Sequence, residues 1–199
     1  MFRVPLTLSV FPLTVGIQHC SFHDGFNDPR PSGTHQAVDI AGPIGLPVVS
    51  TVAGRVVRTW CTHHDRRAVL RGVPSAPVGR GGIWVLVLDA QNTAHYYAHL
   101  LSSAVLEGAA VSAGTKLGLL GNTGAALRHP HLHYQTWNAG NCSAEERASL
   151  NFTTPFGQAI NPYSELVRVS GVPASASGGV ILNPPTHVTH RRHHGTHSR

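Results

Sequence analysis

A chain of 199 residues, 41% of them apolar, fits one domain or a domain plus a tail and is short for a two-domain enzyme. Its fifteen histidines equal the fifteen lysines and arginines and outnumber the nine carboxylates, which disfavours chemistry built on clustered acids and makes imidazole the most plentiful ligand and proton carrier near neutrality. The net charge of +6 is almost wholly arginine, Lys116 being the only lysine; it favours polyanionic partners, but no basic helix or aromatic RNA-binding signature accompanies it, so nucleic acid is set aside.

The first sixteen residues carry one arginine and an apolar run of signal-peptide length. Pro5 and Pro12 interrupt that run and no A-x-A site follows, so Pro12 to Ile17 reads as an edge strand. No stretch reaches the roughly 20 apolar residues that a transmembrane helix needs. Beyond it, apolar runs of four to eight residues alternate with Gly, Pro, Asn and Asp clusters, the rhythm of an all-β domain. The predicted strands are Val38 to Ile40, Pro47 to Thr51, Gly54 to Thr59, Ile83 to Asp89, Ala94 to Leu100, Leu117 to Gly121 and His131 to Trp137. Ser143 to Leu150 offers about two helical turns, with Ser143 and Glu146 spaced as a capping box. The expected architecture is a single antiparallel sheet of barrel-sandwich type with long loops.

Two insertions, Cys61 to Arg80 with four arginines and Asn138 to Ala159, are long enough to be functional or disordered. The Ser/Gly/Pro-rich segment and its ending THVTHRRHHGTHSR read as a disordered tail. The expected division is an extension over 1–20, a domain over 21–168 and the tail over 169–199. Cys20, Cys61 and Cys142 are widely separated and form no C-x-x-C, which argues against a cysteine zinc cluster. A Cys61–Cys142 disulfide tying the two insertions together is one expectation for the thiols.

Ten histidines precede the tail, and their spacing sorts them. His35 and Asp39 make H-x-x-x-D, His95 and His99 bracket HYYAH, and His129, His131 and His133 make HPHLH. Residues i and i+2 of a strand share a face, so His131 and His133 enter one cavity as a metal ligand beside a proton-transfer group. A straight strand would hold His35 and Asp39 about 13 Å apart, too far for one ion. The chain is therefore expected to curl at Thr34 to Ala37 and enter its strand near Val38. Two histidines and one aspartate meet the demand of a catalytic zinc, which keeps a position for water. H-E-x-x-H is absent and none of Glu107, Glu145, Glu146 and Glu165 sits in these motifs, so the base is imidazole.

At these residues the chain resembles the lysostaphin-type (LytM-like) zinc endopeptidases of bacterial peptidoglycan, from about Ser21 to Leu166. GTHQAVDIAGPIGLPVVSTVAGRVV resembles the first metal motif and its hairpin, HYYAHL the central histidine motif, and HPHLHYQTW the closing H-x-H strand. LEGAAVSAGTKLGLLGNTG and AINPYSEL are similar to the strand pair between them and to the segment that closes the domain.

The resemblance implies that His35, Asp39 and His133 hold one Zn2+ per chain and that His99 and His131 are the catalytic histidines. It also implies a peptidoglycan peptide as substrate and a place in the cell envelope or outside the cell. His129 is an extra imidazole relative to that family, and the Cys61 to Arg80 loop is longer and more basic, suited to an anionic wall. His95 is read as a surface or supporting residue, Tyr97 as core or groove wall, and Asn122 as a turn residue at positive φ. Two other readings are a non-catalytic LytM-like regulator or binder of wall enzymes and a biotinyl-type carrier. The five filled positions weigh against the first, and the place of Lys116 beside Gly114 against the second.

Overall fold

The computed structural model describes residues 5–16, 19–31, 33–60, 80–126, 128–139 and 159–183. Eleven antiparallel strands form one sheet, whose main path runs β13 (Val180–Leu182), β1 (Cys20–Phe22), β4 (Val38–Ala41), β11 (His131–Asn138), β8 (Thr93–Ser103), β7 (Ile83–Asp89), β6 (Gly54–Trp60), β9 (Ala110–Val111). Strand β10 (Lys116–Leu120) pairs with β8 and β5 (Pro47–Val49), and β12 (Ala159–Ile160) with β11. A separate two-stranded hairpin joins β2 (Pro29–Arg30) to β3 (Gly33–Thr34). Among the described residues there is one α-helix, α1 (Tyr163–Ser170), and none long and apolar enough to cross a membrane.

Alternation along the central strands decides which side chains enter the core. In β11, Leu132, Tyr134 and Thr136 are buried while His131, His133 and Gln135 stay half-buried on the other face. In β4, Val38 and Ile40 are buried and Asp39 is not. The inward set joins Ile83, Val85, Val87, Tyr97 and Leu100, and is closed by Leu166 of α1 and by Leu8 and Leu13 of the N-terminal segment. Each fully buried aliphatic side chain contributes about 1.5–3 kcal/mol, so these strands, which carry the site on their outer face, are firmly held by the core.

Strand β8 departs from this alternation. His99 adopts φ +64°, and the β7 and β10 pairings both slip in register beside it. A bulge of this kind re-aims a side chain. His95 therefore faces the core and is wholly buried, whereas His99 faces the opposite side; the expectation of a surface position for His95 is corrected.

The bulge is locked by Thr123. Its Oγ1 accepts the Ile83 N–H at 2.9 Å and donates to the Leu100 carbonyl at 2.8 Å. The packing around it admits no side chain: a Cβ on Gly82 would stand 2.2 Å from Thr123 Oγ1, and one on Gly124 would stand 2.4 Å from the Gly82 nitrogen. Both glycines also have positive φ. Asn122 does not, so the left-handed residue of GNTG is Gly124.

Other expectations change as well. Of the strand expected over Pro12 to Ile17, the described part to Gly16 is not one: Leu13 makes a single bridge to Val48, and Pro12, lacking an N–H, offers only its carbonyl, which accepts from Val49, while Ile17 lies outside the described residues. The tail expected from residue 169 begins as ordered structure, because Val180–Leu182 pairs with all three residues of β1. Helix α1 was not expected; it follows Pro162, with the Asn161 side chain accepting the Tyr163 N–H at 2.9 Å. The predicted helix over Ser143 to Leu150, Cys61, Cys142 and the arginines at 66, 67 and 71 lie outside the described residues.

Candidate metal centre

The register of three adjacent strands assembles the site. His133 of β11 stands opposite Asp39 of β4 on one side and Ala98 of β8 on the other. Cross-strand partners have Cβ atoms about 4.5–5.5 Å apart, so His133 and Asp39 meet without any loop to guide them. His35 arrives differently: the chain bends at Ala37 and enters β4 at Val38, which brings His35 Nε2 to 3.2 Å from Asp39 Oδ1. His133 Nδ1 lies 3.0 Å from the same oxygen and 3.3 Å from His35 Nε2. Among the described residues, His35, Asp39 and His133 are the group with the donor atoms to hold a metal ion.

The hydrogen bonds of each ring fix which nitrogen faces the cluster. The buried His35 donates from Nδ1 to the Gly25 carbonyl at 3.0 Å, so Nε2 is the nitrogen turned toward Asp39. Nε2 of His133 lies 3.5 Å from Gln135 Oε1, so its Nδ1 is the atom that faces Asp39. Burial pushes the Asp39 carboxyl up, but hydrogen bonds from His133 and His35 and the charges of His133 and His131 outweigh it and hold the group far below the usual carboxylate range. The other oxygen of Asp39, Oδ2, accepts from Arg30 Nη2 at 3.2 Å.

His99 and His131 form a second tier beside this group. Their ring centroids are 4.7 Å apart, edge to face, and His99 lies 5.7 Å from His133. His99 donates from Nδ1 to the Thr123 carbonyl at 2.8 Å and His131 from Nδ1 to the His129 carbonyl at 2.6 Å, so in each ring Nε2 is the nitrogen left to face the site. His131 Nε2 reaches 3.6 Å from Asp39 Oδ1. Burial, reinforced by the charges of His133 and His131, pushes the His99 imidazole down to about 3. All five residues singled out in the sequence therefore lie together. His129 is exposed and touches the site only through its carbonyl.

Four residues next to these went unread in the sequence. Arg30 and Gly25 belong to a loop whose folding nothing in its composition announces. Thr123 works from the turn behind His99, and Tyr96 stands edge-on to His133 with ring centroids 6.2 Å apart. Behind the sheet His95 joins a buried polar chain: Nε2 lies 3.2 Å from Asp89 Oδ2, and Nδ1 lies 2.8 Å from the Tyr134 hydroxyl. That hydroxyl reaches Thr51 Oγ1 at 2.9 Å, and Thr51 Oγ1 reaches the Tyr97 hydroxyl at 2.7 Å. Tyr97 is thus core.

Residues 33–145, more than half of the chain, match peptidase family M23. The chain is 36% identical over 101 residues to the peptidoglycan DD-endopeptidase ShyA of Vibrio cholerae, covering 51% of this chain and 20% of that protein. It is 31% identical over 145 residues to an L-Ala--D-Glu endopeptidase of Bacillus subtilis, covering 66% of this chain and 39% of the relative. The chain thus spans well under half the length of these relatives. In fold it is similar to lysostaphin from Staphylococcus simulans, with a TM-score of 0.57 at 22% identity, covering 92% of this chain and 61% of the other. A putative glycyl-glycine endopeptidase lytM from Ruminococcus gnavus gives a TM-score of 0.60 at 22% identity, covering 83% and 61%. With His35, Asp39, His99, His131 and His133 gathered at one site and the match spanning all five, the chain belongs to peptidase family M23.

Proposed function

We propose that this chain is a zinc metalloendopeptidase that hydrolyses peptide bonds in the stem or cross-bridge peptides of bacterial peptidoglycan. The observation that carries the reading is the convergence of His35 Nε2, His133 Nδ1 and Asp39 Oδ1, with separations of 3.0, 3.2 and 3.3 Å. Zinc ligands at about 2.0–2.1 Å in a tetrahedron are separated by about 3.3–3.4 Å, so the three atoms already span nearly one face of such a polyhedron. Two neutral imidazoles and one carboxylate suit a borderline-soft divalent ion.

When bound, a zinc ion supplies Lewis acidity: it brings the pKa of a coordinated water to about 7 and polarises the scissile carbonyl. The chain's residues do the rest. His99 and His131 present their Nε2 atoms from two strands, His99 in the neutral form that burial favours. One accepts the proton of the attacking water, and the other, carrying a proton taken up from solvent, steadies the oxyanion or passes that proton to the leaving amine. The hydrogen bonds to Thr123 and His129 keep both rings in the accepting tautomer, as an orienting partner does for any catalytic imidazole.

The named activities of the two relatives support this substrate class, and a peptidoglycan substrate is consistent with a place in the cell envelope or outside the cell. Arg80 begins the described part of the chain after the basic loop, whose contact with an anionic wall is part of the proposal. His131→Ala is expected to abolish release of peptides from purified peptidoglycan while zinc stays near one per chain; His35→Ala and Asp39→Ala should lose both. Full hydrolysis by either ligand variant would overturn the assignment.

A further inference from the structure

Asp39 divides its two oxygens between unlike partners. Oδ1 faces the three imidazoles, at 3.0 Å from His133, 3.2 Å from His35 and 3.6 Å from His131. Oδ2 is turned away from them and lies 3.2 Å from the guanidinium of Arg30. We propose that Arg30 is a positioning residue that holds Asp39 as a one-oxygen ligand and thereby keeps a coordination position open for water or the substrate carbonyl. The inference rests on the metal reading given above.

The local fold supports the pairing. Arg30 lies in β2, and β3 of the same hairpin ends at Thr34, one residue before His35. The loop that precedes the hairpin grips His35 at three points: the Gly25 carbonyl takes its Nδ1–H, the Asp28 carbonyl its backbone N–H at 2.9 Å, and its own carbonyl accepts from Asn27. One short segment thus fixes the ring of one ligand and delivers the cation that restrains another. Among the described residues β2 and β3 pair only with each other, so no backbone ladder ties this hairpin to the main sheet and the Arg30–Asp39 contact is made by side chains.

The chemistry gives the restraint a purpose. A catalytic zinc keeps three protein ligands and one open position. A carboxylate free to swing can bind through both oxygens and fill that position itself. A guanidinium on Oδ2 occupies the lone pairs that would do so, a role typical of the partners that orient metal ligands. Arg30 is well suited to experiment because its side chain is 45% exposed. Exposed ion pairs contribute little to folding, so its removal should leave the fold intact.

The test is the visible absorption of the Co2+-loaded full chain, which is strong in four-coordinate and weak in five- or six-coordinate sites, read beside kcat and KM of the zinc form. In Arg30→Ala and Arg30→Gln the cobalt band should weaken severalfold and kcat should fall about 10- to 100-fold, with KM little changed. Arg30→Lys, a single-point donor of shorter reach, should lie between. A cobalt spectrum of wild-type intensity in both Arg30→Ala and Arg30→Gln overturns the proposal. If KM alone rises in that case, Arg30 instead binds a substrate carboxylate. Failure of the wild-type chain to bind cobalt would sink the metal reading itself and this inference with it.

Discussion

Replacing Thr123 by valine tests how the sheet holds His99 in place. Valine keeps the shape of threonine, so no cavity opens; what disappears is one acceptor and one donor. The wholly buried Ile83 N–H loses its partner at 2.9 Å and the Leu100 carbonyl loses a donor at 2.8 Å. A buried donor left without an acceptor costs about 1–3 kcal/mol, and the carbonyl adds to this, giving a loss on the order of 2–4 kcal/mol. Against a domain stability of about 5–15 kcal/mol, that shift is large and readable in urea unfolding followed by fluorescence of the three tryptophans. The effect on catalysis has a separate origin. A non-glycine residue at positive φ costs about 1–3 kcal/mol and persists only where its surroundings enforce it. His99 is such a residue, and its ring hangs from the Thr123 carbonyl. Once the turn loosens, kcat should fall about 10- to 100-fold, the range expected of displacements near 1 Å. Zinc content should not change, because no hydrogen bond joins Thr123 to His35, Asp39 or His133. Thr123→Ser keeps both hydrogen bonds and should lose only about 1 kcal/mol for the methyl group. Equal stability and equal kcat in the valine and serine variants would refute this account of the bulge.

Three further outcomes are expected. Thr51→Val should destabilise by about 1–3 kcal/mol in urea unfolding and Thr51→Ser by clearly less, because the hydroxyl links the two buried phenols of Tyr97 and Tyr134. Burial pushes the Cys20 thiol up to about 11, so alkylation at pH 8 followed by peptide mapping should leave Cys20 unmodified in the native chain and label it after unfolding. Burial pushes the Asp89 carboxyl up, but hydrogen bonds from His95, Thr93 and Gln91 prevail and the group lies below its usual value. Its contribution is therefore complete above the unfolded value of about 3.9 and is lost as pH falls through the lower folded value. The stability advantage of the wild type over Asp89→Asn should accordingly be full at pH 7 and shrink below about pH 4; an advantage that grows on acidification would reverse the assignment.

Legibility in the sequence followed the range of the interactions. Strand β7 was predicted with its observed ends, Ile83 and Asp89, because its signal is an uninterrupted apolar run bounded by glycines and a turn. Strands β1, β12 and β13 were not, since they have two or three residues and owe their existence to partners far along the chain, as Cys20 does to Leu182. The Ser/Gly-rich surroundings of Val180–Leu182 even pointed to disorder. Helix α1 was hidden by three β-branched or hydroxyl residues in its last four, Val167, Val169 and Ser170, and is secured by tertiary contacts: Leu166 is buried, and Glu165 accepts the Leu8 N–H.

The site divides along the same line. Asp39 and His133 are readable because the period of a strand alone puts them on one face and register makes them neighbours. His35 required a bend, which the sequence supplied indirectly: the metal distance was impossible without it. His95 and His99, four residues apart, defeated simple alternation, because the bulge that separates them is created by Thr123 and by the close approach of Gly82 to Gly124, contacts between segments about forty residues apart. Period predicts where a side chain points only while the ladder is regular, and it is an irregular point of the sheet that delivers His99. The scarcity of carboxylates fits that construction. On the metal reading proposed above, one aspartate would suffice as ligand, because His99 and His131 are each held by a backbone carbonyl rather than by a second acid.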